Sequence, residues 1–415
     1  MKDVVISGTG IVSSLGLERG EYRDNMLVGK LAIDPAPWAD PESPTAWISR
    51  VHGFNAGDWM EPHVEDGTDL YSQFLIAAAV QAVADAGIEE PDPMRTAVVM
   101  GTSMAGVKTL TGAQAKFEQE GPSAVPRKVH IQAWANMAAG QVAMRWQLHG
   151  PLLSVCTACA SSLDAIGIAA RMIESGMADV AIAGGADTGL LPILYHSQVA
   201  YGMASATAIP EQVSRPFDVD RVGLLEGEGA GVVVLESRKS ARSRGMTPRA
   251  SVRGYASLAD SYHPSSPEPT GKWEALAMRR AIEEADLPEG ASSVDALVAH
   301  ATGTQAGDSA EISAINDVFA SDGSAPPLVT SIKGHIGHTA GAAGVMALIA
   351  ALESAEVGKF MPTVGCKSVD PAARFPIVTG AAADVEIGTL QVNSFGFGGQ
   401  DASMVLTRPV GEGAE

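Results

Sequence analysis

The residues of this chain that could do chemistry fall in short glycine- and alanine-rich turns, and the first of them holds two cysteines. In LLSVCTACASSLDAIGIAARMIESGMADVAIAGG, apolar residues run to Val155, recur at Leu163, Ile166, Ile168 and Ile173, and become continuous again from Val180. That period reads as strand, helix, strand, with Cys159 at the first turn of the helix. A thiol there faces unpaired N–H groups and the positive end of the helix dipole, which favour thiolate and can hold an oxyanion. A small buried cysteine packed against a helix explains the segment equally well. Cys156 makes CTAC a C-x-x-C pair, so a redox dithiol is a further reading. Its place inside the apolar run points instead to a core residue. Zinc would need two more ligands, and only Cys366 remains, with no suitably spaced histidine pair nearby.

A second group of polar residues stands at other strand ends. His300 closes the apolar run DALVA and opens the loop HATGTQAGDSAE, which leads into the helical EISAINDVF. Asp308 and Glu311 sit where a loop enters a helix, a place where N-capping and first-turn charge account for acidic residues. In SIKGHIGHTAGAAGVMALIAAL, Lys333 and His338 straddle a glycine-punctuated turn before an alanine-rich helix. Near the end, NSFGFGGQDASMVL carries Asn393, Phe395, Gly396, Phe397, Gly398 and Gly399 between two strand-like runs. Glycines there let backbone approach a ligand, and adjacent N–H groups can form a nest. Phe395 and Phe397 fit either a core or a mobile lid.

Short Val/Ile runs ending in small residues alternate with helical stretches, the pattern of an α/β protein with sheets covered on both faces. Strand ends would then carry the site. At 46% apolar and 18% charged side chains over 415 residues, the chain can bury a large core. A basic, helix-forming stretch, Arg238 to Arg249, precedes a fresh strand-like run after Pro248, which predicts two halves, 1–248 and 249–415. Each half holds a Gly/Ala-rich strand-to-helix turn, which hints at duplication. The tail 410–415 is expected to fray. No apolar run is long enough to span a bilayer and no signal-peptide pattern opens the chain, so a cytoplasmic protein without membrane contact is expected. A net charge of −20 speaks against nucleic acid as a partner.

In order and spacing, VVISGTGIVSSLG, TACASS, AGGAD, RPFDVDRVGLLEGEGAGVVVLE, HATGT with Asp308, SIKGHIGHTAGAAG and NSFGFGG resemble the β-ketoacyl synthases of fatty-acid and polyketide synthesis. The resemblance implies a thiolase-like fold, two similar βαβαβαββ halves in a five-layer αβαβα sandwich. It implies Cys159 as acyl-accepting nucleophile and His300 and His338 as the pair holding the malonyl thioester oxygen. Lys333 would support them, paired with Glu311, with Asp308 and Asn393 as further supports. Phe397 would gate the pocket between Gly396 and Gly398, its N–H joining that of Cys159 as oxyanion donors beside Phe395. The run SSLDAIG is most similar to discrete type II polyketide ketosynthases. Implied partners are an acyl carrier protein, its phosphopantetheine arm bearing the substrates, and a second protomer, either identical or a chain-length factor. No metal or redox cofactor is implied.

Several positions depart from the family's common form: Ala301 follows His300, Val222 and Leu224 replace residues of RDGF, GGQDA with Gln400 replaces GGTNA, and His335 is an added histidine. Related readings are a fatty-acid elongating enzyme, an atypical acyltransferase or cyclase, and a silent partner subunit, which would have lost Cys159. Because carriers are acidic, a basic mouth is required. Arg127 and Lys128 match a docking pair used in the family, whereas Arg238, Lys239, Arg242, Arg244 and Arg249 read as a solvated helix face.

Overall fold

A computed structural model describes residues 3–42, 45–204, 206–320 and 325–408; the tail expected to fray lies outside them. Two runs of elements repeat one order. The first is β1 (Val4–Ser13), α1 (Leu70–Asp85), β2 (Thr96–Gly101), α2 (Asn136–Arg145), β3 (Leu152–Val155), α3 (Ser161–Glu174), β4 (Val180–Asp187) and β5 (Gly229–Ser237). The second is β6 (Ala250–Ala259), α4 (Lys272–Ala285), β7 (Ala296–Val298), α5 (Gln305–Phe319), β8 (Leu328–Thr330), α6 (Ala343–Glu356), β9 (Thr389–Gly396) and β10 (Gln400–Thr407). Each run is βαβαβαββ.

The strands join in the order β8-β7-β9-β10-β6-β1-β5-β4-β2-β3. The two five-strand sets are mirror-ordered about the antiparallel contact of β1 with β6, where Val4 faces Val252 and Ile6 faces Ala250. Side-chain alternation then sorts residues into layers. Val99 of β2 and Val298 of β7 turn inward to α3 and α6, sharing one core with Leu163, Ile166, Val345 and Leu348. Their neighbours Val98 and Leu297 turn outward, the former to Phe74 and Leu75 of α1, the latter to Met278 of α4 and Ile312 of α5. Helix, sheet, helix pair, sheet and helix make the expected five layers. The close packing repeats as well, since a Cβ at Gly10 of β1 would overlap the carbonyl of Ala78 in α1, and one at Gly254 of β6 that of Ala281 in α4.

The two central helices place the site. Each follows a tight turn whose second residue is a non-glycine in the left-handed region, Ala158 (φ 49°) before α3 and Ala340 (φ 48°) before α6. The segments Thr157-Ala158-Cys159 and Thr339-Ala340-Gly341 are thus structural counterparts, and only the first carries a thiol. The basic stretch forms a short helix, Arg238–Ser243. No helix among the described residues is long and apolar enough to cross a membrane.

Candidate active site

The nucleophile turn is held from several sides. A left-handed alanine costs on the order of 1–2 kcal/mol, and hydrogen bonds of about 1 kcal/mol each offset it. Ser103 Oγ and Ser161 Oγ both donate to the Ala158 carbonyl, at 2.7 and 2.6 Å. Ser394 Oγ, from β9 of the other half, donates to the Cys159 carbonyl at 2.8 Å. The Cys159 side chain thereby faces a cavity of about 310 Å³, lined also by His300, His338, Phe395 and Phe397.

The histidines are fixed through their backbones. The His338 N–H donates to the Leu225 carbonyl at 2.7 Å, and the Gly227 N–H donates to the His338 carbonyl at 3.0 Å, so the GLLEGEG run is the cradle of this histidine. His338 Nε2 lies 3.0 Å from Cys159 Sγ. His300 leaves β7 with its ring edge-on to His338, centroids 5.3 Å apart, and 5.9 Å from the Phe395 ring. Glu311 pins the His300 loop by accepting from the N–H groups of His300 (2.9 Å) and Ala301 (2.6 Å) and from Asn393 Nδ2 (3.1 Å). Asp308 accepts from Gly303 N–H at 3.0 Å and Phe217 N–H at 2.9 Å. Thr304 is the cap of α5, so neither acidic residue is the N-cap; each instead ties backbone of neighbouring loops.

Cys159 Sγ and one ring nitrogen from each histidine lie within 4.8 Å of one another, the one such cluster among the described residues close enough to ligate a metal ion. Its electrostatics suit thioester chemistry. Burial pushes the Cys159 thiol up to about 11, against the pull of the Lys333 charge and of the Phe397 N–H. The helix terminus alone therefore does not make a resting thiolate. Burial pushes His338 down to about 3 and His300 well below the usual imidazole range. Both rings are thus neutral at physiological pH and can each donate one N–H. Lys333, buried, is pushed down to about 8, held up by the charges of Glu311, Cys159 and Asp308. Among the described residues no ion pair within 4.0 Å joins Lys333 to Glu311, whose charge acts on the ammonium from further off.

Residues 1–241 match the family description "Beta-ketoacyl synthase, N-terminal domain" and residues 249–367 match "Beta-ketoacyl synthase, C-terminal domain". The chain belongs to the β-ketoacyl synthase family. It is 34% identical over 427 residues to a 3-oxoacyl-[acyl-carrier-protein] synthase 2 of Rhizobium meliloti, with 99% of this chain and 100% of the relative covered. Among solved structures, the ishigamide ketosynthase/chain length factor superposes with a TM-score of 0.91 at 30% identity, covering 99% of this chain and 100% of that one. A type II polyketide acyl-carrier protein in complex with its ketosynthase superposes with a TM-score of 0.90 at 26% identity, over 98% and 99% of the two chains.

The other expected site residues of this ketosynthase divide. The Phe397 ring is 47% exposed at the cavity rim, while Gly396 is tucked so close that a Cβ would meet Cys159 N at 3.0 Å and Thr157 O at 2.9 Å. Gly398 takes φ 83° and its N–H donates to Pro264 O at 2.8 Å, tying the loop to the 260–268 segment. Of the departures, Val222, Leu224 and Ala301 line the cavity, whereas His335 points away, its ring nitrogens 3.0 Å from Lys30 O and 2.7 Å from Pro362 O. Arg127 is exposed, and Lys128 Nζ pairs with Asp66 at 2.6 Å. The second basic run staples elements together: Arg244 bonds Glu236 and the carbonyls of Ala86 and Gly87 just past α1, and Arg249 bonds Asp85.

One expectation is corrected. Cys156 is exposed rather than core, because β3 is an edge strand whose outer side has no strand partner among the described residues. One residue escaped sequence reasoning: Asp187, at the end of β4, is fully buried and accepts from Thr102 Oγ1, the N–H groups of Ser103 and Met104, and the Gly341 N–H of the other half. Its only sequence signal was the final letter of AGGAD.

Proposed function

We propose that this ketosynthase takes an acyl group from an acyl carrier protein onto Cys159 and condenses it with a carrier-bound malonyl unit in type II polyketide biosynthesis. The observation that supports this most is the meeting of Cys159 Sγ with two neutral histidine rings inside 4.8 Å at one cavity. The Cys159 thiol gives up its proton, its sulfur attacks the acyl thioester, and the carrier thiol leaves with a proton. The N–H groups of Cys159 and Phe397 receive the oxyanion. Ring N–H groups of His300 and His338 then hold the malonyl thioester oxygen while the carboxylate departs as carbon dioxide. The enolate carbon attacks the Cys159 thioester and expels the thiolate. No electron is gained or lost overall, so the cycle calls for no redox cofactor. Lys333 tunes the thiol, Glu311 and Asn393 hold the His300 loop, and Asp308 holds its far end.

We assign the nucleophile to the half 1–248 and the histidine–lysine set to 249–415, place the enzyme in the cytoplasm, and take Arg127 and Lys128 as the carrier's landing point. A fatty-acid elongating role is the second reading, favoured by the 34% identity to a 3-oxoacyl-carrier-protein synthase 2. His300→Ala and His338→Ala should each keep self-acylation of Cys159 yet lose about 100-fold to 1000-fold in condensation. Rates of acylation and of malonyl-dependent product formation, measured separately by mass spectrometry, test this. Unchanged condensation in both variants ends the assignment.

A further inference from the structure

The catalytic scheme leaves three buried carboxyl groups of the same cavity unused. Asp260, Glu274 and Asp401 line it together with Cys159 and the histidines. Glu274, in the first turn of α4, is 4% exposed, and Asp401, at the start of β10, is 3% exposed. Glu274 Oε2 and Asp401 Oδ2 have no hydrogen-bond partner, a costly state for a buried carboxyl group. Asp260 differs, since its oxygens accept from the N–H groups of Tyr262 (3.0 Å) and Glu268 (3.3 Å) and order the rim loop. Asp401 stands opposite Phe395 in the β9–β10 register, and Phe395 rests on His300. Neighbouring strand residues in such a pair share a face, so Asp401 lies one side chain from His300.

Burial pushes Asp401 up to about 7 and Glu274 well above the usual carboxylate range, and the neighbouring acidic groups push the same way: Glu311, Asp401, Asp260 and Asp308 on Glu274, and Asp260 and Glu311 on Asp401. Among the described residues no basic side chain forms an ion pair with Glu274 or Asp401 within 4.0 Å. The site therefore wants positive charge and N–H donors. A compact metal ion fits it poorly, because the three carboxyls do not gather within the 4.8 Å reached by Cys159, His300 and His338, and hard cations ask for six or more close oxygens. A longer donor fits better. Asp401 is also a point of departure from the common GGTNA run, where a neutral amide would stand.

We propose that Glu274 and Asp401 form a specificity subsite for a protonated amine carried by the substrate chain bound in this cavity. The amine would satisfy both free oxygens through charge-assisted hydrogen bonds while its thioester carbonyl stays at Cys159. This rests on the acylation step proposed above, so the test reads that step separately. Pantetheine thioesters of 6-aminohexanoate and of heptanoate, nearly equal in length, are offered to the full chain, and loading of Cys159 is timed by intact mass. The wild type should prefer the amine by at least about tenfold in kcat/KM. Asp401→Asn and Glu274→Gln, both isosteric, should each cut that preference several-fold, and the double variant should abolish it. Heptanoyl loading reports whether each variant is folded, and its failure in the wild type would count against the acylation step itself. Equal loading of the two chains by the wild type overturns the subsite. So does a preference that survives in the double variant. Should either isosteric variant not fold, Asp401→Ser and Glu274→Ser carry the same comparison.

Discussion

Lys333 sets a titration that can be followed one residue at a time. Burial has pushed its ammonium down to about 8, and Glu311, Cys159 and Asp308 hold it up. The charge is present below that pH and is lost above it. With Cys159 already acylated, the thiol no longer titrates, and the histidines, held far below the physiological range, contribute no limb between pH 5 and 8. Single-turnover condensation from preloaded acyl-enzyme should therefore be flat at mildly acidic pH and fall as pH rises to about 8 or just below, since acylation removes the Cys159 charge that helped hold the ammonium up. In Lys333→Met the rate should be lower and that falling limb absent. A falling limb that persists in Lys333→Met would remove Lys333 from the reaction. At this scale each small-residue turn by itself fitted a structural reading of Cys159, His300, Lys333 or His338, and it was the order and spacing of the motifs together that singled the four out. The sequence said nothing of how the Glu311 oxygens are used, since spacing along a chain brings groups near without showing which hydrogen bonds they make.

The elements matter through how closely their turns approach. The β9–β10 hairpin reaches Cys159 only because Gly396 has no side chain, its Cβ position being 2.9 Å from Thr157 O and 3.0 Å from Cys159 N. Gly396→Ala should push Phe397 N–H off the oxyanion and slow acylation by about 100-fold, the size expected of a displacement near 1 Å. Melting temperature should change by only a few degrees, because the strain falls on a rim loop. Wild-type acylation in this variant would show that the loop tolerates displacement. The strand-to-helix turns were legible from the switch of apolar period at Val155 and Leu163. Asp187 was not, because a buried aspartate at a strand end looks like any other loop residue until the two halves are folded together.

For the whole molecule, the exposed strand β3 is the unfinished feature. Leu152 and Leu153 are 48% and 42% exposed on a sheet edge whose outer side meets no strand among the described residues, an arrangement that invites pairing with a second chain. Apolar continuity alone made this strand, and Cys156 after it, look like core; burial by another protomer cannot be read from one sequence. The enzyme is expected to sediment as a dimer, and Leu153→Glu, which places charge on that edge, should yield monomer. A wild-type monomer at micromolar concentration, or a dimeric variant, would contradict the pairing.

The central claim is that Cys159 carries the acyl group between carrier and extender. Intact-mass and peptide mapping after incubation with acyl-carrier should show one acyl adduct, on Cys159, absent in Cys159→Ala, retained in Cys156→Ala, and discharged when malonyl-carrier is added. An adduct on Cys156, or one on Cys159 that malonyl-carrier leaves in place, would contradict the account.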